Sequence, residues 1–465
     1  MLVTATTAAD KSPGSPAPIS DEKSSYRHVW IFLVLSAVAL AIAGWVGGAV
    51  TFSGANFFFS LIERQALHQP FGRYSTAPFQ APALFASSVT SSLAVLRHLF
   101  GLGYAVAPFG ALLASWLVVR KRAPRLVIWP VIGITVVGFP GLLCLILESP
   151  IVAEWAWPLV LLALVGIDDD WTFAAGGVIA VFLFFCSANS LGVFLVVAAI
   201  ALVRAAREPA LRSRLLAFGV AMAIAAPVEY VVRNKDFTAG PHKVSAGLIW
   251  KEFRVGYFPL PFVAYVLAGC ACALILYLRF SSKPASRVVG YLPAALMLLA
   301  GGCLVGYASV GAEWLGANTS KDLILLLELP LFAVGALDHL VAPKRQPQDS
   351  ASREPEIRMA VVLVAGVALL ACLASWSANW SSLMNETNRN VAAAAGYCVA
   401  PQAVEVNGTP LEVRYTPELA LDLGNRTPSH VVINATGCRL LQDKGVLQLY
   451  EINTRVARGW FHFKR

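Results

Sequence analysis

The chain has 465 residues, 57% of them hydrophobic and only 14% charged, which excludes an ordinary soluble globular domain, where about a quarter of residues carry charge. Its net charge of +9 is spread over the connections between apolar stretches and reads as membrane topology, so no nucleic-acid partner is expected. The chain contains no G-x-x-x-x-G-K-[ST], H-E-x-x-H or C-x-x-C-H motif and no long nucleotide-binding cytoplasmic segment, which excludes ATP hydrolysis.

Residues 1–28 are polar and rich in Ser, Pro and Ala, with Lys11, Lys23 and Arg27 ahead of the first apolar run. They are predicted to be a disordered cytoplasmic tail, because the first apolar run is too long for a secretion signal. About eleven apolar stretches come next: 30–52, 101–119, 126–147, 151–167, 172–187, 190–203, 215–232, 258–279, 288–310, 323–341 and 359–378. Most match the roughly 17–25 residues a helix needs to cross the hydrocarbon. The runs are continuous rather than alternating, so helices are expected and a β-barrel is not. The fold class is therefore an all-α polytopic membrane protein with about 11 transmembrane helices. Residues 29–378 form its membrane domain, with long outer loops at 53–100 and 233–257.

Placing the N-terminus inside puts eighteen Lys and Arg in the inner segments and nine in the outer loops. The inner segments are also the shorter ones, so the bias obeys the positive-inside rule. The expected location is a multi-pass protein of a bacterial inner membrane, N-terminus cytoplasmic and C-terminus periplasmic. This orientation depends on 172–203 being two spans joined at Cys186-Ser187-Ala188-Asn189-Ser190; a single bent span would invert every later segment.

In the first outer loop, residues 52–68 have helical periodicity. Phe57, Phe58, Leu61 and Ile62 share one face, and Asn56, Ser60, Glu63 and Arg64 another. That predicts an amphipathic helix lying in the membrane interface. A second amphipathic piece, about 88–100, carries Arg97 and His98, and the polar turn between them holds His68 and Arg73. Glu63 is the only acid of the loop. It is either a charge on a solvated helix face or a catalytic carboxylate beside a lipid-headgroup pocket.

Glu148 and Glu154 flank Ser149-Pro150, and a tight turn there would bring two carboxylates to the outer surface beside Trp155 and Trp157. Such a pair suits acid–base work or a divalent metal, the candidate cofactor; equally, both acids can simply be helix ends. Asp168-Asp169-Asp170 has no His or Glu partner nearby and reads as a solvated inner turn. The 233–257 loop gathers Arg233, Lys235, His242, Lys243, Lys251 and Arg254 with aromatic neighbours, suited to a phosphate or to anionic lipid headgroups. Glu328 and Asp338 fall inside the 323–341 stretch, where a carboxylate is costly and a proton-coupled transporter would use one.

Residues 379–465 are expected outside. Six of the eight cysteines lie in or beside apolar runs, whereas Cys398 and Cys438 stand alone in this tail and read as a disulfide. Short runs at 404–406, 411–415, 430–433 and 446–450, with Asn407-Gly408 as a hairpin turn, predict a small, mostly β extracytoplasmic domain. Four Asn-x-Thr sequons at Asn385, Asn407, Asn425 and Asn434 carry weight only in a cell that N-glycosylates.

A cytoplasmic N-terminus, one span, a long outer loop with interfacial helices, many further spans and a small outer C-terminal domain together resemble the GT-C superfamily of membrane glycosyltransferases. The residues that carry the likeness are the Asn56–Arg73 loop and the stretch from Glu148-Ser149-Pro150 to Trp157-Pro158. The resemblance implies a polyprenyl-phosphate-linked sugar donor and an envelope glycan, lipid or protein as acceptor, with membrane lipid around the site. An acid soon after the first span is usual in that superfamily, and the first one here is Glu63. By the resemblance, Glu63 is the first choice of catalytic carboxylate, with Glu148 and Glu154 as further candidates. Asn56, Arg64, His68 and Arg73 would contact substrate, and His242, Lys243, Lys251 and Arg254 the donor phosphate. Two other classes compete: a transporter or flippase depending on Glu328 and Asp338, and a non-catalytic membrane scaffold subunit.

Overall fold

A computed structural model describes residues 27–50, 53–67, 74–137, 148–187, 190–232, 321–341, 354–404, 406, 416–449, 453–455 and 460–463, with four isolated helical residues between 275 and 296. These residues are overwhelmingly helical. In chain order the helices are α1 (Arg27–Trp45), α2 (Ser53–Arg64), α3 (Ala77–Ser87), α4 (Leu93–Val119), α5 (Ile128–Ile132), α6 (Glu148–Leu161), α7 (Asp170–Phe184), α8 (Ser190–Arg207), α9 (Arg212–Val232), α10 (Lys321–Val341) and α11 (Glu354–Ala393). Six helical segments are long and apolar enough to cross a membrane: Arg27–Trp45, Leu93–Val119, Ser149–Gly166, Ser190–Arg207, Pro209–Val232 and Ile357–Ala393. Pro124–Val136 and Asp170–Phe184 are shorter apolar helices. The stretches at 258–279 and 288–310 lie outside the described residues.

Short polar links sort the helix ends into two groups. At one end, Asp168 is shared by Arg122 at 2.9 Å and Arg204 at 3.4 Å, and Asp170 pairs with Arg214 at 2.8 Å. Arg207 donates to the Leu340 carbonyl. Arg358 forks onto both oxygens of Asp338 at 3.1 Å and also reaches the Arg125 carbonyl, while Trp129 Nε1 donates to Asp338 at 2.9 Å. Among the described residues, the segments expected inside at 120–125, 168–170 and 204–214 thus gather at one end with Leu340 and Arg358. The aspartate run is ion-paired rather than merely solvated, and Asp169 caps α7 through the Thr172 amide.

At the opposite end, Ser75 bonds the carbonyls of Phe182 and Phe185, Trp380 Nε1 donates to Gly47 O at 3.1 Å, and His98 contacts the Trp45 carbonyl. Helices α7 and α8 run in opposite directions between these two ends, so 172–203 holds two helices, with Phe185–Ser187 the described part of their connection.

Helix α1 packs between α4 and α11, and α6 between α4 and α10. Small residues allow the closest of these contacts. A Cβ on Gly101 of α4 would lie 2.0 Å from the Gly44 carbonyl oxygen of α1, so the two backbones touch there. Helix α6 continues as a π-turn over Leu162–Gly166, one turn after Pro158, whose missing N–H interrupts the hydrogen-bond ladder.

The C-terminal residues depart from expectation. Among the described residues they are mainly helical: α12 (Pro401–Val404), α13 (Thr416–Leu423) and α14 (Ala435–Lys444). Strand β1 (Cys398–Val399) pairs parallel with β2 (Val431–Val432), and β3 (Val446–Gln448) antiparallel with β4 (Asn453–Arg455). Val404 ends a helix rather than starting a strand, because Pro401 supplies a preset first helical position. The runs at 430–433 and 446–450 do contain strands; 407–415 lies outside the described residues. Asn434 is the N-cap of α14, accepting from the Gly437 amide at 2.8 Å. Cys398 and Cys438 form the expected disulfide.

Candidate functional site

Helix α2 forms where its periodicity predicted, and its end is well specified. Gln65 takes φ 51°, the left-handed conformation that terminates a helix. Its side chain donates to the Ile62 carbonyl at 2.6 Å and accepts from Ser87 at 3.0 Å, tying α2 to the end of α3.

The environment of α2 differs from the expected interfacial one. Its polar face is buried as deeply as its apolar face: Asn56 is 1%, Ser60 1% and Glu63 3% exposed, and only Arg64 at its end is open to solvent. The reason is a second layer. Helix α13 packs along α2, and Phe461 stacks on Phe59 with ring centroids 5.3 Å apart. On the other side Phe58 meets Phe100 of α4 at 5.2 Å. Helix α2 is therefore sandwiched between the helical bundle and the C-terminal residues. The second amphipathic piece, expected at 88–100, is no separate helix in its last eight residues. From Leu93 it is the start of α4, capped by Ser92; Arg97 reaches the same layer at Asp422, whereas His98 lies against Trp45 of α1.

Glu63 sits at the centre of this sandwich. Its Oε2 accepts a hydrogen bond from the Phe461 amide at 3.0 Å, while Oε1 has no hydrogen-bond partner among the described residues. Burial pushes its carboxyl up to about 7, with the Phe461 and Trp460 amides pulling in the opposite direction. Near it on the same end, α13 contributes two fully buried acids, Glu418 and Asp422. Arg97 of α4 donates to the Asp422 carbonyl at 3.3 Å. Burial, reinforced by the Glu418 charge and offset by Arg97, holds the Asp422 carboxyl well above the usual range. Neither acid was singled out from the sequence. The available signals were the Thr416-Pro417-Glu418 helix start and two acids spaced four apart on one helical face.

The other predicted residues fall elsewhere. Glu154 is not at the outer surface with Glu148; it is 3% exposed within the bundle, close enough to Glu328 of α10 to interact electrostatically. Glu154 Oε2 has no hydrogen-bond partner among the described residues, and the Trp157 side chain lies beside the Glu328 carboxyl. Trp157 belongs to this core rather than to an aromatic belt, packing edge-on against Phe332 at 4.6 Å. Glu148 begins α6, but its side chain lies outside the described residues, as do His68, Arg73, His242, Lys243, Lys251 and Arg254. Asn56 is engaged within its helix, accepting from Ser60 Oγ at 3.2 Å. Among the described residues no three His, Cys, Asp or Glu side chains converge as a metal site.

Comparison with protein-family models, curated proteins and solved structures finds no match to this chain.

Proposed function

We propose that this chain is a membrane glycosyltransferase working at the end of the bundle where α2 and the C-terminal residues meet, taken as the outer face. The observation that carries the reading is Glu63: a buried carboxylate with one oxygen held by an amide, the other without a partner among the described residues, and a proton affinity near 7. A base titrating near the working pH transfers protons most effectively. The Lys/Arg bias of the loops supports a cytoplasmic N-terminus and a periplasmic C-terminus in a bacterial inner membrane.

In this reading the acceptor hydroxyl attacks the anomeric carbon of a polyprenyl-phosphate-linked sugar. Glu63 takes the hydroxyl proton as the new C–O bond forms. The bond from sugar to phosphate breaks, and the phosphate leaves with its electron pair, received by His242 and the cations Lys243, Lys251 and Arg254. The acceptor is a glycan, lipid or protein of the cell envelope.

A second reading has a specific observation behind it. Glu154 and Glu328, from two different helices inside the bundle, are the kind of buried carboxyl pair on which a transporter or flippase depends.

One experiment separates the two. Purified protein in nanodiscs is given radiolabelled polyprenyl-phosphate sugars and an envelope acceptor extract. Label reaching the acceptor, lost in Glu63→Gln and kept in Glu328→Gln, supports the transferase. No transfer from any donor by folded protein, with substrate flux abolished in Glu328→Gln, supports transport instead.

A further inference from the structure

The last described residues of the chain reach back 398 positions to touch Glu63. They do so as an anchored strap. Arg426 donates from Nε to the Trp460 carbonyl at 2.8 Å, and its guanidinium lies 5.1 Å from the centre of the Trp460 ring. The His462 amide donates back to the Arg426 carbonyl at 2.7 Å. Phe461, between these two clamps, is fully buried against Phe59 and directs its amide at Glu63. Apolar packing alone explains the ring of Phe461. It does not explain a backbone donor spent on one oxygen of a buried carboxylate while the second oxygen has no described partner.

We propose that the Trp460–Phe461 strap is a positioning element of this site: its amide fixes Oε2 of Glu63 and leaves Oε1 as the atom that accepts a proton. The inference rests on the reading of Glu63 as the working carboxylate, and it extends the site to a segment at the far end of the sequence. The strap acts on Glu63 in two opposed ways. By covering the carboxyl it excludes water and raises its proton affinity; by donating an amide it favours the charged form. The titratable groups on elements around Glu63 are Glu418 and Asp422 of α13, His462 of the strap itself, Arg97 and His98 at the start of α4, and Arg64 on its own helix. Helix α3 brings none. The strap both buries Glu63 and donates to it, which makes it the lever.

The test reads Glu63 directly and needs no turnover. The carboxyl stretching band of Glu63, identified by its disappearance in Glu63→Gln, is followed against pH by infrared difference spectroscopy in nanodiscs. Phe461→Pro removes the amide donor, and Phe461→Leu is its control, retaining the donor and an apolar side chain. Arg426→Ala frees the strap at a residue with no hydrogen bond to Glu63. The expected midpoint rises by about one unit in Phe461→Pro relative to Phe461→Leu, as one hydrogen bond to a charged acceptor is lost. In Arg426→Ala it falls from about 7 toward the ordinary carboxylate range as water enters. Identical midpoints in Phe461→Pro and Phe461→Leu, together with an unmoved midpoint in Arg426→Ala, overturn the proposal. If Phe461→Pro does not fold, Arg426→Ala decides alone. Sugar transfer measured alongside distinguishes the two levels: a midpoint that moves with no transfer from any donor keeps the strap and removes the transferase.

Discussion

The contact between α1 and α4 gives the sharpest test of the architecture, because backbone there meets backbone. A methyl placed on Gly101 would lie 2.0 Å from the Gly44 carbonyl oxygen and 2.8 Å from its carbon, whereas ordinary contact begins at 3.4 Å. Neither atom belongs to a side chain that can swing away. Gly101→Ala must therefore push the helices apart by about 1.4 Å, the difference between those two distances. Inserting a methyl into a packed interior costs about 1–3 kcal/mol, and with no rotamer to relieve it the upper end applies. A loss of about 3 kcal/mol is roughly two decades in the folding equilibrium. The displacement also reaches the functional end, since Phe100, next in sequence, packs on Phe58 of α2. Thermal unfolding in nanodiscs measures the loss. Gly177→Ala is the control: a Cβ there meets nothing within 4 Å, so the variant keeps or slightly gains stability through lower unfolded-state entropy. Equal stability of Gly101→Ala and the parent would refute the close approach of α1 and α4.

Three further outcomes rest on named contacts. Asp338→Ala strands the buried Arg358 guanidinium and lowers stability by about 3–5 kcal/mol in the same unfolding assay; an unchanged transition would mean the pair is not buried as described. Cys398→Ser opens a loop of 40 residues and destabilises the C-terminal region by about 4 kcal/mol on a chain-entropy basis, seen as faster proteolysis of residues 398–463 under non-reducing conditions. The raised carboxyl of Asp422 sets a pH dependence of known sign. The docked form holds a proton that the undocked form releases, so docking is strongest below the ordinary Asp range and weakens as pH rises toward the folded value. Asp422→Asn reduces that weakening and leaves the contribution of the same sign from Glu63; proteolysis of the C-terminal region that accelerates with pH as steeply as in the parent would contradict the assignment.

Six of the eleven expected spans were legible because membrane spans advertise themselves: length and continuous apolarity are local properties, and the Lys/Arg bias marks which turns share an end. The ion pairs of Arg122, Arg204 and Arg214 with the Asp168–Asp170 turn bear out that grouping. Helix α2 was legible in register but not in environment. Its polar face looked solvated because nothing near it in sequence covers it; the cover comes from α13 and Phe461, hundreds of residues away. The same distance hid Glu328 as a charge that Glu154 meets. In the C-terminal region, β-branched runs were weighed above helix starts. At Pro401 a helix start prevails over the strand expected at 404–406, while the helices opened by Thr416-Pro417 and Asn434 follow the β-like runs and were not weighed.

The central claim is that Glu63 works as a base at the layer between the bundle and the C-terminal residues. The most direct test is the rate of sugar transfer from a polyprenyl-phosphate donor as a function of pH, in the parent and in Glu63→Gln. Since the base must be charged to accept a proton, the account predicts a rate that rises as pH increases through about 7 and transfer abolished in the folded Gln variant. A Gln variant that retains the parent rate and pH profile would contradict it.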